Sequence, residues 1–447
     1  MKKYTILISG VAAIGGLLFG FDTAVIAGTI PALRSFFTLD ETAIGLVVAA
    51  ASIGCIPGAF FAGNLANRFG RKPMMLLTAV LYIIAAFGSG IAGSFDQLVI
   101  YRFIGGLAIG MASTLAPIYI SEVAPANFRG RLGMSQQLAI VLGILLAFIS
   151  NYYIANAGFS FLTPDNTWRY MLAAAVIPSV VFFILLLLVP ESPRWLVIRE
   201  KHERARSIFG KIYHDEAADR EIRAVQEDVV KDTSRVAFSE IFSPRYRKVV
   251  TIGVIFAAIA QLTGINIVFY YAPLIFEKTQ VGGSVLFQTV LTGVVNLIFT
   301  IVAFWLIDRV GRKKLLLVGS AVMGICMLIV GTLFYTDNLD NYFVLITIFI
   351  YIAAFACTWG AVLWVYVAEI FSNKIRGSAT SFAIFGNWTA NAIVSYTFPV
   401  MLSSLGAPVT FFIYGIINVG MIFFVAKYVF ETKGIALENI EALYDVI

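Results

Sequence analysis

GNLANRFGRKPM, residues 63–74, and IDRVGRKKL, residues 307–315, each place a basic R-x-G-R-K turn directly after a long apolar run. A second pair recurs in the same order. SEVAPANFRGRLG starts at Ser121 and AEIFSNKIRGSAT at Ala368, each an acid followed a few residues later by Arg-Gly. Taken singly, any of these segments is only positive charge in a loop. In register across two halves they signal a duplicated unit.

The runs between these segments set the rest of the architecture. Stretches long enough to cross a hydrocarbon core of about 30 Å lie near 5–30, 43–66, 73–93, 98–120, 133–155 and 168–189, then near 248–276, 283–307, 314–335, 342–368, 377–402 and 408–429. The expected fold class is therefore an all-α membrane protein of twelve transmembrane helices in two pseudo-symmetric six-helix bundles. The expected boundaries are 1–189 for the first bundle, 190–247 for a cytoplasmic helical linker, 248–431 for the second bundle and 432–447 for a cytoplasmic tail.

Composition agrees: of 447 residues 60% are hydrophobic and 13% charged, and the mean hydropathy is +0.88. A soluble chain lacks neither charge nor polar surface to this degree. The net charge of +6 is spread over short loops, not gathered into the patch that nucleic acid requires. All of the 32 Lys and Arg residues except Arg34, Arg102, Arg169 and Lys278 fall in the N-terminus, the loops after even-numbered spans or the tail. The positive-inside rule then puts both termini in the cytoplasm and the chain in the cell membrane. The first run is too long for a signal peptide, lacks an Ala-x-Ala site and carries Asp22. Cys55, Cys326 and Cys357 lie within apolar runs, match no metal spacing and read as packing residues.

The polar gap holds charges of both signs, with Ile208, Ile212, Ile222 and Val225 at helical spacing, so short amphipathic helices are expected. It has no Gly-rich phosphate loop and, with His202 and His214 its only histidines, no metal or catalytic cluster. No enzyme constellation is visible elsewhere, and neither a metal nor a cofactor is expected.

Inside the spans, side-chain amides and tryptophans stand out because they are few. Gln136 and Gln137 fall in span 5, Gln261 and Asn266 in span 7, Asn296 in span 8, Trp364 in span 10, and Asn387, Trp388 and Asn391 in span 11. An amide donates and accepts together, and an aromatic face covers C–H groups, which suits a ring of hydroxyls. An amide in a span can equally be interhelical glue. Gln261 and Asn266, five apart, are expected on flanking faces of a continuous helix, with Tyr270 beneath Asn266. An acid in a span is a functional candidate by default. Asp22 and Arg102 fall at similar depth in spans 1 and 4, so a pair is expected.

With its R-x-G-R-K turns, PESPRWL at Pro190, QLTGINIVFYYAP at Gln261 and ETKG at Glu431, the chain resembles the sugar porter family of the major facilitator superfamily over essentially its whole length. The resemblance implies transport of a monosaccharide by alternating access, with a co-transported proton as the only cofactor-like species and the lipid bilayer as surroundings. It implies sugar contacts from Gln137, Gln261, Asn266, Asn296, Trp364 and Asn387, with Trp388 and Phe19 nearby. Tyr270 and Tyr271 match outer-gate tyrosines, and Gly360 a helix break in span 10. Asp22, within GFDTAVIAG, and Arg102 match the proton-coupling pair of the symporters, where facilitative members carry Asn. Arg68, Arg71, Glu122, Arg129, Asp308, Arg309, Arg312, Glu369 and Arg376 match a cytoplasmic charge latch joining the two bundles. Ala260 stands where a glutamine is usual, Ala361 where a proline follows the span 10 glycine, and Phe430 where a proline precedes ETKG. Ile144, apolar as in the glucose facilitators, leans towards a hexose. The alternatives are a sugar uniporter and a non-transporting sugar sensor, which would be expected to carry a longer tail. The working unit is expected to be a monomer.

Overall fold

A chain this apolar satisfies its backbone groups within helices, since hydrocarbon offers them no other partner. The computed structural model describes residues 2–125, 128–158, 160–213, 215–231, 238–279, 284–339, 342–372 and 374–433, and its regular elements are all helical. Among the described residues eleven helices are long and apolar enough to cross a membrane. Arg376–Ser404, 29 residues long, completes the second set of six; its polar side chains keep it out of the eleven.

Span 1 is Lys3–Val25, span 2 Glu41–Phe69, span 3 Arg71–Ile91, span 4 Phe95–Val123, span 5 Arg129–Asn156, and span 6 Thr167–Ala173 with Val176–Leu188. Span 7 is Arg247–Leu262 with Ile265–Glu277, span 8 Val285–Val310, span 9 Arg312–Tyr335, span 10 Phe343–Cys357 with Trp359–Ile370, span 11 Arg376–Ser404 and span 12 Gly406–Tyr428. The R-x-G-R-K turns join spans 2 to 3 and 8 to 9 at one end of the molecule, called the basic end below. Gly70 and Gly311 pivot these turns at φ 106° and 94°, a region that a side chain would strain.

Four spans are broken, and in three of them, spans 1, 6 and 7, a continuous helix was expected. Span 1 unwinds through the 3-10 turn Ile26–Gly28 into Ile30–Phe37. Span 6 is interrupted after Ala173. Span 7 breaks at Gly264, φ 94°. Span 10 breaks at Thr358 (φ −127°, ψ −91°), two residues before the glycine that the sequence pointed to. Gly360 lies within the following helix, where a Cβ would come within 2.9 Å of the Phe355 ring. The Thr358 hydroxyl bonds back to the Ala354 carbonyl at 2.6 Å.

Between these breaks, small residues bring helices together at backbone distance. A Cβ on Gly106 of span 4 would lie 1.9 Å from the Ala51 carbonyl of span 2. The linker forms the helices Pro193–Ile198, His202–Ile212 and Asp215–Lys231 and the turn Phe238–Phe242. Leu196, Val197, Ala205, Phe209, Ala218 and Val225 give it a small core, with Ile208 and Ile222 packed against it and Ile212 inserted into the first bundle.

The two bundles meet from mid-depth to the end opposite the basic one. Ser52 of span 2 donates to Asn391 of span 11 at 2.9 Å. Nearer that far end, Phe148 faces Phe269 at 6.3 Å between ring centres, and Tyr152 faces Phe287 at 5.8 Å. A Cβ on Gly45 of span 2 would lie 2.4 Å from the Tyr396 carbonyl of span 11. Backbone cannot yield to such a contact, so Gly45→Val should forbid this closure and tolerate only arrangements with the far end apart. Cysteine labelling at Tyr396→Cys in the Gly45→Val background should rise over the parent, while net uptake of solute collapses. Unchanged labelling and uptake would show that the contact is not required.

Candidate transport site

Where the bundles separate towards mid-depth they leave a cavity that is partly open to solvent. Its wall includes every residue the sequence reading assigned to a sugar: Phe19, Gln137, Gln261, Asn266, Asn296, Trp364, Asn387 and Trp388. Both bundles contribute. Thr23, Ile140, Ile144, Phe269, Tyr270, Thr300 and Asn391 complete much of the rest. No charged side chain lines it among the described residues, which suits a neutral hydroxylated ligand and offers an ion little.

The break in span 7 decides the geometry of the amides. In a continuous helix Gln261 and Asn266 would diverge. The turn at Gly264 swings them together, and the Asn266 amide donates to the Gln261 carbonyl oxygen. Gln261 in turn donates to Asn387 Oδ1 at 2.7 Å, and Asn391 donates to Gln261 Oε1 at 3.3 Å. Four amides from spans 7 and 11 thus form one network, and their order as donors and acceptors is fixed by the chain of bonds. Ala260 is buried in the hydrophobic core and adds no group to the cavity wall. Phe19 and Trp388 meet across the bundles with ring centres 5.5 Å apart and planes tilted by 54°. The Trp388 indole N–H is buried without a partner.

The two gate candidates part company. Tyr270 faces the cavity. Tyr271 turns into its own bundle, where its hydroxyl donates to the Ser395 carbonyl at 2.8 Å and its ring lies 5.1 Å from that of Phe398.

Asp22 and Arg102 are paired as their depths suggested. Arg102 Nη1 reaches Asp22 Oδ2 at 3.0 Å, with side-chain exposures of 3% and 9%. The same nitrogen donates to the Asp22 backbone carbonyl at 3.1 Å, while Arg102 Nε has no hydrogen-bond partner. A buried pair held by one nitrogen is costly to split by deleting one partner, on the order of 3–5 kcal/mol, yet it leaves the guanidinium only partly satisfied. The break in span 1 explains the backbone bond, because carbonyls around it have left the helical ladder. Asn151 of span 5 takes another, donating to Val25 O at 2.9 Å.

At the basic end the ion pairs depart from the expected latch. Arg71 pairs with Glu122 at 2.7 Å and Arg312 with Glu369 at 2.9 Å, so each joins two spans of one bundle. Arg68 is exposed, its guanidinium over the Phe69 ring, and its carbonyl accepts from Arg199 at 2.9 Å. Arg309 stacks on Trp305 at 3.8 Å. Arg376 donates to the Phe371 carbonyl. The side chains of Arg129 and Asp308 fall outside the described ones, as does the tail beyond residue 433.

Two acids that the sequence reading passed over complete each half. Glu191 of PESPRWL accepts from the backbone N–H groups of Arg71 and Lys72, at 2.9 and 3.2 Å. Glu431 of ETKG accepts from Arg312 and Lys313, at 2.9 and 3.1 Å. Each carboxylate thereby caps the helix that starts after the R-x-G-R-K turn, where the helix dipole favours an anion. The signal was available, since both acids follow the last span of their half. Their environments differ. Burial pushes the Glu191 carboxyl up against the opposing pull of the Ser192, Lys72 and Arg71 N–H groups. Burial also acts on Glu431, but the N–H groups of Arg312, Lys433 and Lys313 outweigh it and hold its carboxyl below the usual range.

The chain as a whole matches a known class of membrane carrier. Residues 8–444 match the family described as "Sugar (and other) transporter", and the chain belongs to that family, the sugar porters of the major facilitator superfamily. The D-xylose-proton symporter of Escherichia coli strain K12 is 40% identical to it, covering 99% of this chain and 96% of the relative. The arabinose-proton symporter of Bacillus subtilis is 39% identical, covering 99% and 95%. Among solved structures, a partially occluded, inward-open form of the E. coli xylose transporter XylE superposes with a TM-score of 0.88 at 38% identity, covering 97% of this chain and 100% of that one. The form of that symporter bound to 6-bromo-6-deoxy-D-glucose gives 0.83 at 39% identity, covering 99% of each.

The caps carry a pH signature with opposite signs. Glu431, lowered, stabilises the fold above its ordinary value of 4.5 and loses that contribution as pH falls through the lowered value. Glu191, raised, favours its neutral form, so its contribution is present below the ordinary value and lost as pH rises through the raised one. Glu431→Gln should therefore lower the thermal midpoint in detergent at pH 7 more than Glu191→Gln does. A larger loss for Glu191→Gln would contradict this ordering.

Proposed function

We infer that this chain carries a monosaccharide across the membrane together with a proton, by alternating access of one central cavity. The observation that carries this reading is the uncharged, amide-lined cavity between two bundles, with a buried Asp–Arg pair beside it in the first. Gln261, Asn266, Asn387 and Asn391 present donors and acceptors at set positions, as a ring of hydroxyls needs. Trp364, Trp388 and Phe19 offer flat faces to its C–H groups, and the orphaned Trp388 N–H is a donor awaiting an acceptor. Gln137 of the first bundle and Asn296 of the second add two further amides to the wall.

In this reading Asp22 is the proton carrier. In the arrangement seen, Arg102 holds the carboxyl at 3.0 Å. As the bundles rock and the pair loosens, the carboxyl takes up a proton, and the neutral form no longer restrains Arg102. Cargo closes the bundles around itself, so the proton and the sugar travel in one cycle. The basic end faces the cytoplasm and the chain sits in the cell membrane, a topology supported by the Lys and Arg bias. With the far end closed, the cavity then belongs to an inward-facing state. Both bundles of the chain contribute to the cavity wall, and the working unit is proposed to be a monomer.

Relatives named for xylose, arabinose and glucose bracket the substrate. Ile144 on the cavity wall favours a hexose over a pentose. The test is labelled-sugar uptake into proteoliposomes with and without an imposed pH gradient. Glucose, galactose, xylose, arabinose and inositol serve as competitors. Wild type should accumulate sugar uphill, while Asp22→Asn should lose accumulation and keep exchange of sugar at equal concentrations. Failure of wild type to accumulate any of these sugars overturns symport. An Asp22→Asn protein that still accumulates removes Asp22 from the coupling. Within the amide network, Gln261→Leu should weaken sugar affinity by about tenfold or more, the scale of losing hydrogen bonds and leaving buried partners unpaired. Competition binding checks it.

A further inference from the structure

The break in span 7 brings Asn266 back onto Gln261, and so the sugar-facing amides depend on whatever holds that break. Thr263 sits between the two helices of the span, and its carbonyl lies outside both ladders. Two side chains from other spans take it. The Tyr351 hydroxyl of span 10 donates to Thr263 O at 2.8 Å, and Asn418 Nδ2 of span 12 donates to it at 3.0 Å. Both side chains are fully buried, and neither lines the cavity. Asn418 also donates to the Tyr414 carbonyl at 2.8 Å, and a Cβ on Gly264 would meet the Tyr414 ring at 3.2 Å. Spans 10 and 12 thus enclose the turn.

The first bundle meets the same need with different chemistry. At the break in span 1, Arg102 of span 4 and Asn151 of span 5 donate to the carbonyls of Asp22 and Val25. That clamp contains an acid and a cation. The span 7 clamp contains only a phenol and an amide, so it has no charge to answer a proton.

We propose that Tyr351 and Asn418 are positioning residues for the monosaccharide site, fixing the span 7 turn at Thr263 and thereby the spacing of Gln261 and Asn266. This rests on the sugar reading above. A helix end that loses one of two buried donors samples other turns, and each excursion separates the two amides. The effect falls on affinity and not on proton coupling, because the clamp lies apart from Asp22.

The experiment uses the full chain in nanodiscs and proteoliposomes, with D-glucose and D-xylose as probes. Tyr351→Phe deletes only the hydroxyl, and Asn418→Leu substitutes a side chain of similar size. Each should weaken probe binding by about five- to tenfold, the scale of one buried hydrogen bond. The maximal uptake rate should stay within about twofold and the pH profile of uptake should not move, the pattern of lost binding without lost turnover. Backbone amides of residues 264–268 should exchange hydrogen faster than in wild type. Unchanged affinity in Tyr351→Phe overturns the proposal, as does a displaced pH profile at unchanged affinity. If Asn418→Leu does not fold, Tyr351→Phe decides. A wild type that binds neither probe nor galactose, arabinose or inositol overturns the sugar reading instead, and unaltered exchange in Tyr351→Phe would then overturn the clamp as well.

Discussion

A backbone carbonyl within hydrocarbon has no water to accept from, so every interruption of a spanning helix must be answered by a side chain. That constraint organises this molecule. Asp22, Val25 and Thr263 each sit beside a break, and each carbonyl is taken by a buried donor from another span. The breaks are what give the cavity its shape. A straight span 7 would point Asn266 away from Gln261, and the amide network of spans 7 and 11 would have no centre.

Duplication gives the two halves the same frame and leaves their chemistry free to differ. The R-x-G-R-K turns, the Arg71–Glu122 and Arg312–Glu369 pairs and the capping acids Glu191 and Glu431 repeat almost contact for contact. These ties lie within each half and make it a rigid body. Motion is left to the seam between halves, where Ser52 meets Asn391 and aromatic rings meet at the far end. At mid-depth the halves diverge. The first holds its break with a member of an ion pair and an amide, the second with a phenol and an amide.

Much of this was legible in the sequence, for reasons that can be named. Apolar runs report spans because the bilayer penalises anything else, and scarce amides, one acid and one cation inside them stand out against that background. Every amide and tryptophan assigned to the sugar does reach the cavity wall. What misled were local assumptions. Gln261 and Asn266 were placed on separate faces by the periodicity of an unbroken helix, and Gly264 voids that periodicity. Gly360 drew attention as a breaker, yet the break falls at Thr358, whose hydroxyl bonds back to a carbonyl of the preceding turn. Arg68 looked like a partner in a latch because it shares a motif with Arg71. It is exposed over the Phe69 ring, while Arg71 is buried against Glu122.

The order of apolar and basic segments determined the class of fold, the count of spans, the duplication and the candidate residues, since these follow from transfer free energies summed along a chain. Which residues meet was decided in three dimensions. The capture of Thr263 by Tyr351 and Asn418 joins positions 88 and 155 residues apart, and Glu191 reaches back 120 residues to cap a helix. Hydrogen bonds of this kind depend on direction to within fractions of an ångström. Composition and spacing carry no such information, and packing supplies it.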